Sequence, residues 1–366
     1  MNHLDRRSFI TTAAASLPAL SLAAAAKARP AARGMRGGAA GAAAGPVCIS
    51  SGNGLPAVTK AMELLRQGSD PLDAVVEGVT IVEDDPSDNS VGFGGLPNED
   101  GVVQLDSSVM HGPTHKAGAV GAIENIKNPA RVALLVCRRT DHVIIVGEGA
   151  KRFALAHGFK EENLLTEESR RIWLRWKENL NPNDDWLDDD QRIGGRSDRR
   201  LQSMAEQLGL PFHYGTIHCS AVDANGDIGS VTTTSGLSYK IPGRIGDSPI
   251  IGAGNFCDNA VGAAGATGRG EAVIQSCGAF QAVQHMAAGD DPTAACLKVL
   301  RWIADHTRRR DLLNDRGEPN FNVVMYALRK DGMYGSACLR KMGRGAAFSV
   351  HDGTEARRME CTYLHE

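Results

Sequence analysis

Two runs rich in β-branched and apolar residues, 216–222 and 228–234, flank the turn Asp223-Ala224-Asn225-Gly226. Asn-Gly between two such runs is a strong hairpin signal, because both residues accept the backbone that a tight antiparallel connection requires. The pair predicts two neighbouring strands, and the strand that opens at Thr216 is expected to be central. That strand begins unusually. In His213-Tyr214-Gly215-Thr216-Ile217-His218 a residue with no side chain, Gly215, precedes a hydroxyl residue, Thr216. If the bond between them were broken, Thr216 would carry a hydroxyl and a free α-amine. Such an amine titrates at about pH 7.7–8.0 and can take the hydroxyl proton near neutrality, so one residue supplies nucleophile and base. Taken alone, the stretch favours the plainer reading of a β-branched residue starting a strand.

At 366 residues the chain holds one large or two ordinary domains with a sizeable core. Its net charge of −3 supplies no global field toward nucleic acid, and no nucleic-acid partner is expected. The arginine clusters at 192–200 and at Arg308-Arg309-Arg310 read as solvated faces. Many of the 42 glycines lie in the first 54 residues and between Gly226 and Gly278. The second concentration suggests backbone closely approaching something else. The eight cysteines (Cys48, Cys137, Cys219, Cys257, Cys277, Cys296, Cys338 and Cys361) are dispersed and include no CxxC pair. They lack zinc-ligand spacing and read as buried small hydrophobes, so neither metal nor cofactor is expected.

Asp5-Arg6-Arg7-Ser8-Phe9-Ile10 places twin arginines before an Ala/Leu-rich run at 11–26, with small residues at 26–30. That order is an export signal of the twin-arginine type, expected to occupy 1–30 and to direct the chain to the periplasm or outside the cell. The run is weakly apolar for a bilayer core, so no stable membrane anchor is expected. A Gly/Ala linker follows at 31–45.

From residue 46 the pattern reads in order as a buried strand at 46–50 and helices at 58–67 and from 71, the second capped by Asp70 with Pro71 at its first position. Strands at 101–106 and 116–123, a helix at 128–137, a strand at 142–147 and helices at 150–156 and 167–177 come next. Residues 179–200 are Asn/Asp/Arg-rich and read as exposed loop or linker. After the hairpin, 243–270 reads as Gly-rich loop. Helices at 271–287 and 292–307 and strands at 321–328, 334–339 and 346–350 close the chain. The order predicts a mixed, layered α/β arrangement with no internal repeat.

Six collinear stretches carry a resemblance over about 47–352. They are Val82-Glu83-Asp84-Asp85-Pro86, Gly92-Phe93-Gly94-Gly95-Leu96-Pro97, Gly215-Thr216-Ile217, Thr232-Thr233-Thr234-Ser235-Gly236, Gly243-Arg244-Ile245-Gly246-Asp247-Ser248-Pro249 and Thr267-Gly268-Arg269-Gly270-Glu271. The ordered set resembles the glycosylasparaginase and plant-type asparaginase family of N-terminal-nucleophile hydrolases, and it overturns the plainer reading of Thr216. The resemblance implies an α+β fold, a four-layer αββα sandwich spanning 46–366 as one domain. It implies self-cleavage between Gly215 and Thr216 into 46–215 and 216–366. It further implies Thr216 as nucleophile, Thr234 as the hydroxyl that orients it, and Thr267 with the Gly268 N–H as oxyanion donors. Arg244 would clamp a substrate α-carboxylate, while Asp247 and Gly270 would hold the α-ammonium. Without the match, Arg244 and Asp247 would read as a surface ion pair.

The chain also departs from that pattern. Glycosylasparaginases place His-Asp directly before the nucleophile; here Gly215 intervenes and His213 lies three residues back, and the Gly-Thr junction looks like the asparaginase and isoaspartyl-peptidase branch. Gly52 and Gly54 stand where glycosylasparaginases carry a Trp and a Phe at the pocket, which predicts a wider pocket. His111 replaces an Asp, and Arg269 a frequent His. Conversely, the 82–86 stretch, Asn128-Pro129 and residues 158–165 look like the glycosylasparaginase branch. The implied activity is hydrolysis of the side-chain amide of N4-substituted asparagine, the glycosylated form first, with free asparagine or β-aspartyl dipeptides as the alternative. The implied partner is a small molecule, an amino acid or glycosyl-asparagine, and the implied assembly is a homodimer of processed units. A reading of a different class is a periplasmic amino-acid-binding protein without turnover.

Overall fold

The computed structural model describes residues 45–180, 214–343 and 345–366. Among these, eight helices and thirteen strands form two stacked sheets with helices on both outer faces. The first outer layer holds α1 (Leu55–Arg66), α2 (Pro71–Glu83), α3 (Pro129–Arg139) and α4 (Gly147–Ala156); α5 (Glu167–Glu178) follows in the chain. The second outer layer holds α6 (Gly270–Ser276), α7 (Gly278–Ala287) and α8 (Pro292–His306).

The larger sheet contains β1 (Val47–Ser51), β2 (Gln104–His111), β3 (Lys116–Glu124), β4 (Ile144–Val146), β5 (Tyr214–Val222), β6 (Ile228–Leu237), β11 (Ala347–His351) and β12 (Ala356–Glu360). Its order is β12-β11-β1-β5-β6-β2-β3-β4, which puts the Thr216 strand in the middle. The smaller sheet contains β7 (Asn255–Asp258), β8 (Gly262–Gly268), β9 (Val323–Arg329), β10 (Tyr334–Arg340) and β13 (Thr362–His365), in the order β13-β10-β9-β8-β7.

Three apolar layers glue the four structural ones. Val58, Met62, Leu65, Val75 and Val79 of α1 and α2 pack with Leu105, Val109 and Ile217 of the larger sheet. Ile49, Met110 and Ile228 meet Tyr326 and Leu328 between the sheets. Val283, Val299 and Leu300 of the second helical layer pack with Met325 and Leu339. Burial of these faces is the main stabilising force, with helix ends trimmed by local bonds. Asp70 caps α2 by accepting from the Leu72 N–H at 2.9 Å, and Asp291 caps α8 by accepting from the Ala294 N–H at 3.0 Å.

The layering and the hairpin agree with the expectations from sequence; several elements differ. The strand expected at 142–147 shrinks to the three residues of β4, because Gly147 adopts φ 53° and starts α4 early. The helix expected at 271–287 is two, α6 and α7, broken where Cys277 takes a left-handed conformation (φ 48°, ψ 48°). Most importantly, the Gly-rich stretch read as loop contains β7 and β8. Gly, Ala and Thr make up β8, so it lacks the usual strand composition. Gly265 explains part of that composition, since a Cβ there would lie 2.0 Å from Nδ1 of His218 on the facing sheet. The strands β12 and β13 add to the three expected at the end of the chain. All eight thiols are free, and all but that of Cys277 are buried. The expected signal at 1–30, the linker up to residue 44, His213, and residues 181–200 of the polar stretch lie outside the described residues.

One buried carboxyl ties the helical layer to the hairpin. Glu83 closes α2, and its Oε1 accepts from Thr233 Oγ1 at 2.6 Å and from the Ala130 N–H at 3.1 Å. Burial pushes its pKa from 4.5 up to about 7. The folded carboxyl therefore holds its proton more tightly than the unfolded one. Its contribution to stability is complete below pH 4.5 and is lost as the pH rises toward about 7. Glu83→Gln should flatten this part of the pH–stability curve, worth on the order of 3 kcal/mol across the window. Thermal unfolding of both proteins at several pH values checks it; parallel curves would show that Glu83 is not the responsible group.

Candidate active site

The site begins with an irregularity in the central hairpin. Gly215 pairs with Gly236 and Ile217 with Thr233, so Thr216 alone faces two residues, Thr234 and Ser235. This is a β-bulge, a device that re-aims side chains where a ladder is interrupted. Here two hydroxyls converge on one carbonyl. Thr234 Oγ1 donates to the Gly215 carbonyl oxygen at 2.5 Å and accepts from the Gly236 N–H at 2.8 Å. Thr216 Oγ1 lies 2.8 Å from the same oxygen and 3.2 Å from Thr234 Oγ1. The Gly215–Thr216 peptide thus has a polarised carbonyl with its neighbour's hydroxyl beside it.

Gly215 is a steric necessity. A Cβ at this position would fall 1.6 Å from the Cβ of Ser90. Ser90 is itself fixed, because its hydroxyl donates to Asp88 Oδ1 and its carbonyl accepts from the Ser235 N–H at 3.0 Å. Asp88 Oδ2 in turn accepts from Asn53 Nδ2 at 2.9 Å, and Asn53 Oδ1 accepts from Ser51 Oγ at 2.7 Å. These supporting residues escaped the sequence reading. Ser51, Asn53, Asp88 and Ser90 lie in turn-forming sequence, which does not reveal a distant partner.

Thr216 and Thr234 share a small pocket with Arg244, Asp247, Gly268 and Gly270, brought in from a loop, the smaller sheet and the start of α6. Arg244 does not pair with Asp247. Its Nε and Nη2 donate to Glu271 Oε1 at 3.1 and 2.7 Å, which holds the guanidinium plane with Nη1 beside Gly246. Asp247 sits in a slot made by two glycines. Its Oδ1 lies 2.8 Å from where a Cβ of Gly270 would be, and its Oδ2 2.8 Å from that of Gly254. Oδ2 is buried with no hydrogen-bond partner among the described residues. Burial therefore pushes the Asp247 pKa up to about 7, although Arg244 works in the opposite direction. An unpaired buried carboxylate is costly, and a cation entering the pocket would relieve it. Nearby Lys240 is also buried; its Nζ donates to the carbonyls of Gln104 and Ser235 at 2.8 and 2.9 Å, and burial lowers its pKa to about 8.

The remaining candidates divide. Gly268, at φ +108°, lines the pocket, and a side chain there would meet the Asn322 carbonyl oxygen at 2.4 Å. Thr267, one residue earlier, is buried with its hydroxyl 2.9 Å from the Tyr326 hydroxyl, and it is not among the residues lining the pocket. Gly52 and Gly54 do not line the pocket. A Cβ at Gly52 would lie 2.7 Å from the Ala347 carbonyl oxygen, and one at Gly54 1.9 Å from Ser50 Oγ. Neighbouring chain fills the space beside both glycines. His111 bonds to Thr114 Oγ1 and Asp70 Oδ2 at the far end of β2. Arg269 lies over the Phe321 ring, 5.4 Å from its centroid.

A family model described as Asparaginase matches residues 53–311. The chain is 40% identical over 308 residues to an N(4)-(beta-N-acetylglucosaminyl)-L-asparaginase of Elizabethkingia miricola, covering 84% of this chain and 82% of that one. It is 34% identical over 313 residues to the protein of the same name from Mus musculus, covering 81% and 86%. An isoaspartyl peptidase/L-asparaginase of Xenopus laevis is 38% identical over 251 residues, covering 68% and 73%.

The contact between positions 215 and 90 gives a direct expectation. Gly215→Ala should lower stability by about 1–3 kcal/mol through overpacking and should displace the carbonyl from the two hydroxyls. The companion change Ser90→Gly should restore stability to Gly215→Ala. Thermal melts of the two single variants and the double variant test it, and additive losses would exclude the contact as the cause.

Proposed function

The chain belongs to the asparaginase family, and from that membership we propose that it is a self-processing amidohydrolase with Thr216 as its N-terminal nucleophile. The proposed reaction is cleavage of the side-chain amide of N4-substituted asparagine, with N4-(beta-N-acetylglucosaminyl)-L-asparagine as first substrate and aspartate as product. The observation that carries this reading is the convergence of Thr216 Oγ1 and Thr234 Oγ1 on the Gly215 carbonyl oxygen, at 2.8 and 2.5 Å.

Processing starts from that geometry. The Thr216 hydroxyl attacks the Gly215 carbonyl carbon while Thr234 donates to the carbonyl oxygen, where negative charge develops. The C–N bond breaks, its nitrogen takes up a proton, and Gly215 is left as an ester on Thr216 Oγ1. Water hydrolyses the ester, giving a carboxylate on Gly215 and a free amine on Thr216. In turnover this amine accepts the hydroxyl proton as Oγ1 attacks the substrate amide carbon. The proton passes to the leaving nitrogen, an aspartyl ester forms, and water releases aspartate. Thr234 orients the nucleophile, while Thr267 and the Gly268 N–H stabilise the oxyanion.

The rest of the pocket suits an amino acid's own charges. Arg244, held flat by Glu271, meets the α-carboxylate; Asp247, without a partner on Oδ2, receives the α-ammonium beside Gly270. The assembly proposed is a homodimer of processed units, and export by the twin-arginine route to the periplasm is proposed from residues 1–30. Coverage favours the glycosylated substrate: relatives bearing that name align over more of the chain than the isoaspartyl peptidase does. The Gly-Thr junction favours the β-aspartyl alternative.

Two outcomes test the proposal. Purified protein should separate under denaturing conditions into two bands, the smaller one starting at Thr216 by N-terminal sequencing. Thr216→Ala should give a single band without aspartate release, and cleavage at 215–216 in that variant would refute the mechanism. Comparing turnover of glycosyl-asparagine with a β-aspartyl dipeptide on the same processed enzyme then decides the substrate. Separately, Arg244→Ala should reduce kcat/KM by about 10²-fold. Unaltered kinetics would remove Arg244 from the binding site.

A further inference from the structure

Between the two sheets, a buried tyrosine meets the hydroxyl assigned to the oxyanion. Tyr326 of β9 is 2% exposed, and its OH lies 2.9 Å from Thr267 Oγ1. Its ring stacks nearly parallel to His218 of β5, 12° between planes and 5.9 Å between centroids. His218 is locked from both sides: Nδ1 bonds to Thr232 Oγ1 and Nε2 to Ser220 Oγ, each at 2.8 Å. Gly265 leaves the space for that ring. Strand alternation puts Thr216 on the same face of β5 as His218, and Thr267 on the same face of β8 as Gly265. Those faces pack together, so Thr216 and Thr267 belong to one inter-sheet seam.

A hydroxyl has one hydrogen and two acceptor sites. If Thr267 donates its hydrogen to a developing oxyanion, its bond with Tyr326 requires the tyrosine to be the donor. We infer that Tyr326 is a positioning residue whose hydroxyl donates to Thr267 Oγ1, aiming the single Thr267 hydrogen at the oxyanion. The inference rests on the oxyanion role of Thr267 in the proposed mechanism. Tyr326 is suited to it because burial drives its pKa upward and keeps the proton on the ring oxygen. A relay of this kind also strengthens the outer bond, as each donor polarises the next. Its benefit appears where charge develops, so it should act on kcat and leave substrate binding alone.

The test uses processed enzyme, with active sites counted by N-terminal threonine. Tyr326→Phe removes only the hydroxyl and keeps the packed ring. It should lower kcat about 3- to 10-fold with KM within about twofold. Thr267→Ala should lower kcat about 10²-fold, and adding Tyr326→Phe to it should cost nothing more, because no hydroxyl is left to aim. Thr267→Ser provides a background that retains the hydroxyl, and there the Tyr326→Phe loss should persist. Equal losses from Tyr326→Phe in the wild-type and Thr267→Ala backgrounds would reduce Tyr326 to packing and overturn the inference. A normal loss in Thr267→Ala with unchanged kcat in Tyr326→Phe would overturn it while sparing the mechanism. An unchanged kcat in Thr267→Ala would remove the oxyanion role of Thr267 and this inference together.

Discussion

The site depends on a single carbonyl oxygen. Gly215 O accepts from Thr234 Oγ1 and stands within hydrogen-bond distance of Thr216 Oγ1 because the β5–β6 ladder gains one residue on the β6 side. In a regular ladder the carbonyl would point at a neighbouring N–H and the hydroxyls elsewhere. The bulge redirects all three groups, and Ser90 keeps the backbone from relaxing back by filling the space beside Gly215. Ser90 is held through Asp88, Asn53 and Ser51, so the end of β1 and the loop after α2 both support one peptide bond.

Charge around this bond is arranged unequally. Arg244 is neutralised by Glu271, while Asp247 Oδ2 is buried without a partner among the described residues and the Lys240 Nζ donates to two carbonyls. In a low-dielectric pocket an unpaired carboxylate and an arginine with donors to spare form a template for a zwitterion. Two glycines provide the slot for the Asp247 carboxyl, which is one physical reason for the glycine density in this part of the chain.

How much of this could be read from sequence follows from the range of each interaction. The Asn225-Gly226 hairpin and the Asp70-Pro71 helix start are local devices, and they lie where the pattern put them. Thr216, Thr234, Arg244, Asp247, Gly268 and Gly270 surround one pocket, and Thr267 is not among its lining residues. Strand β8 was hidden because it is built of glycine, alanine and threonine, with Gly265 answering to His218 across the sheets and not to intrinsic preference. The pairing of Arg244 with Glu271 and the collision between Gly215 and Ser90 were equally hidden. No periodicity encodes a contact between residues on different layers.

The order of strands in the larger sheet carries a consequence for a chain severed between residues 215 and 216. β1, from the upstream piece, lies between β5 and β11, both from the downstream piece; β6, from the downstream piece, borders β2 of the upstream one. The two products would remain interlaced like the fingers of clasped hands. Pulling them apart would strip hydrogen bonds from both edges of β1, so the severed molecule would unfold as one body, and its new terminus would stay within the seam between the sheets.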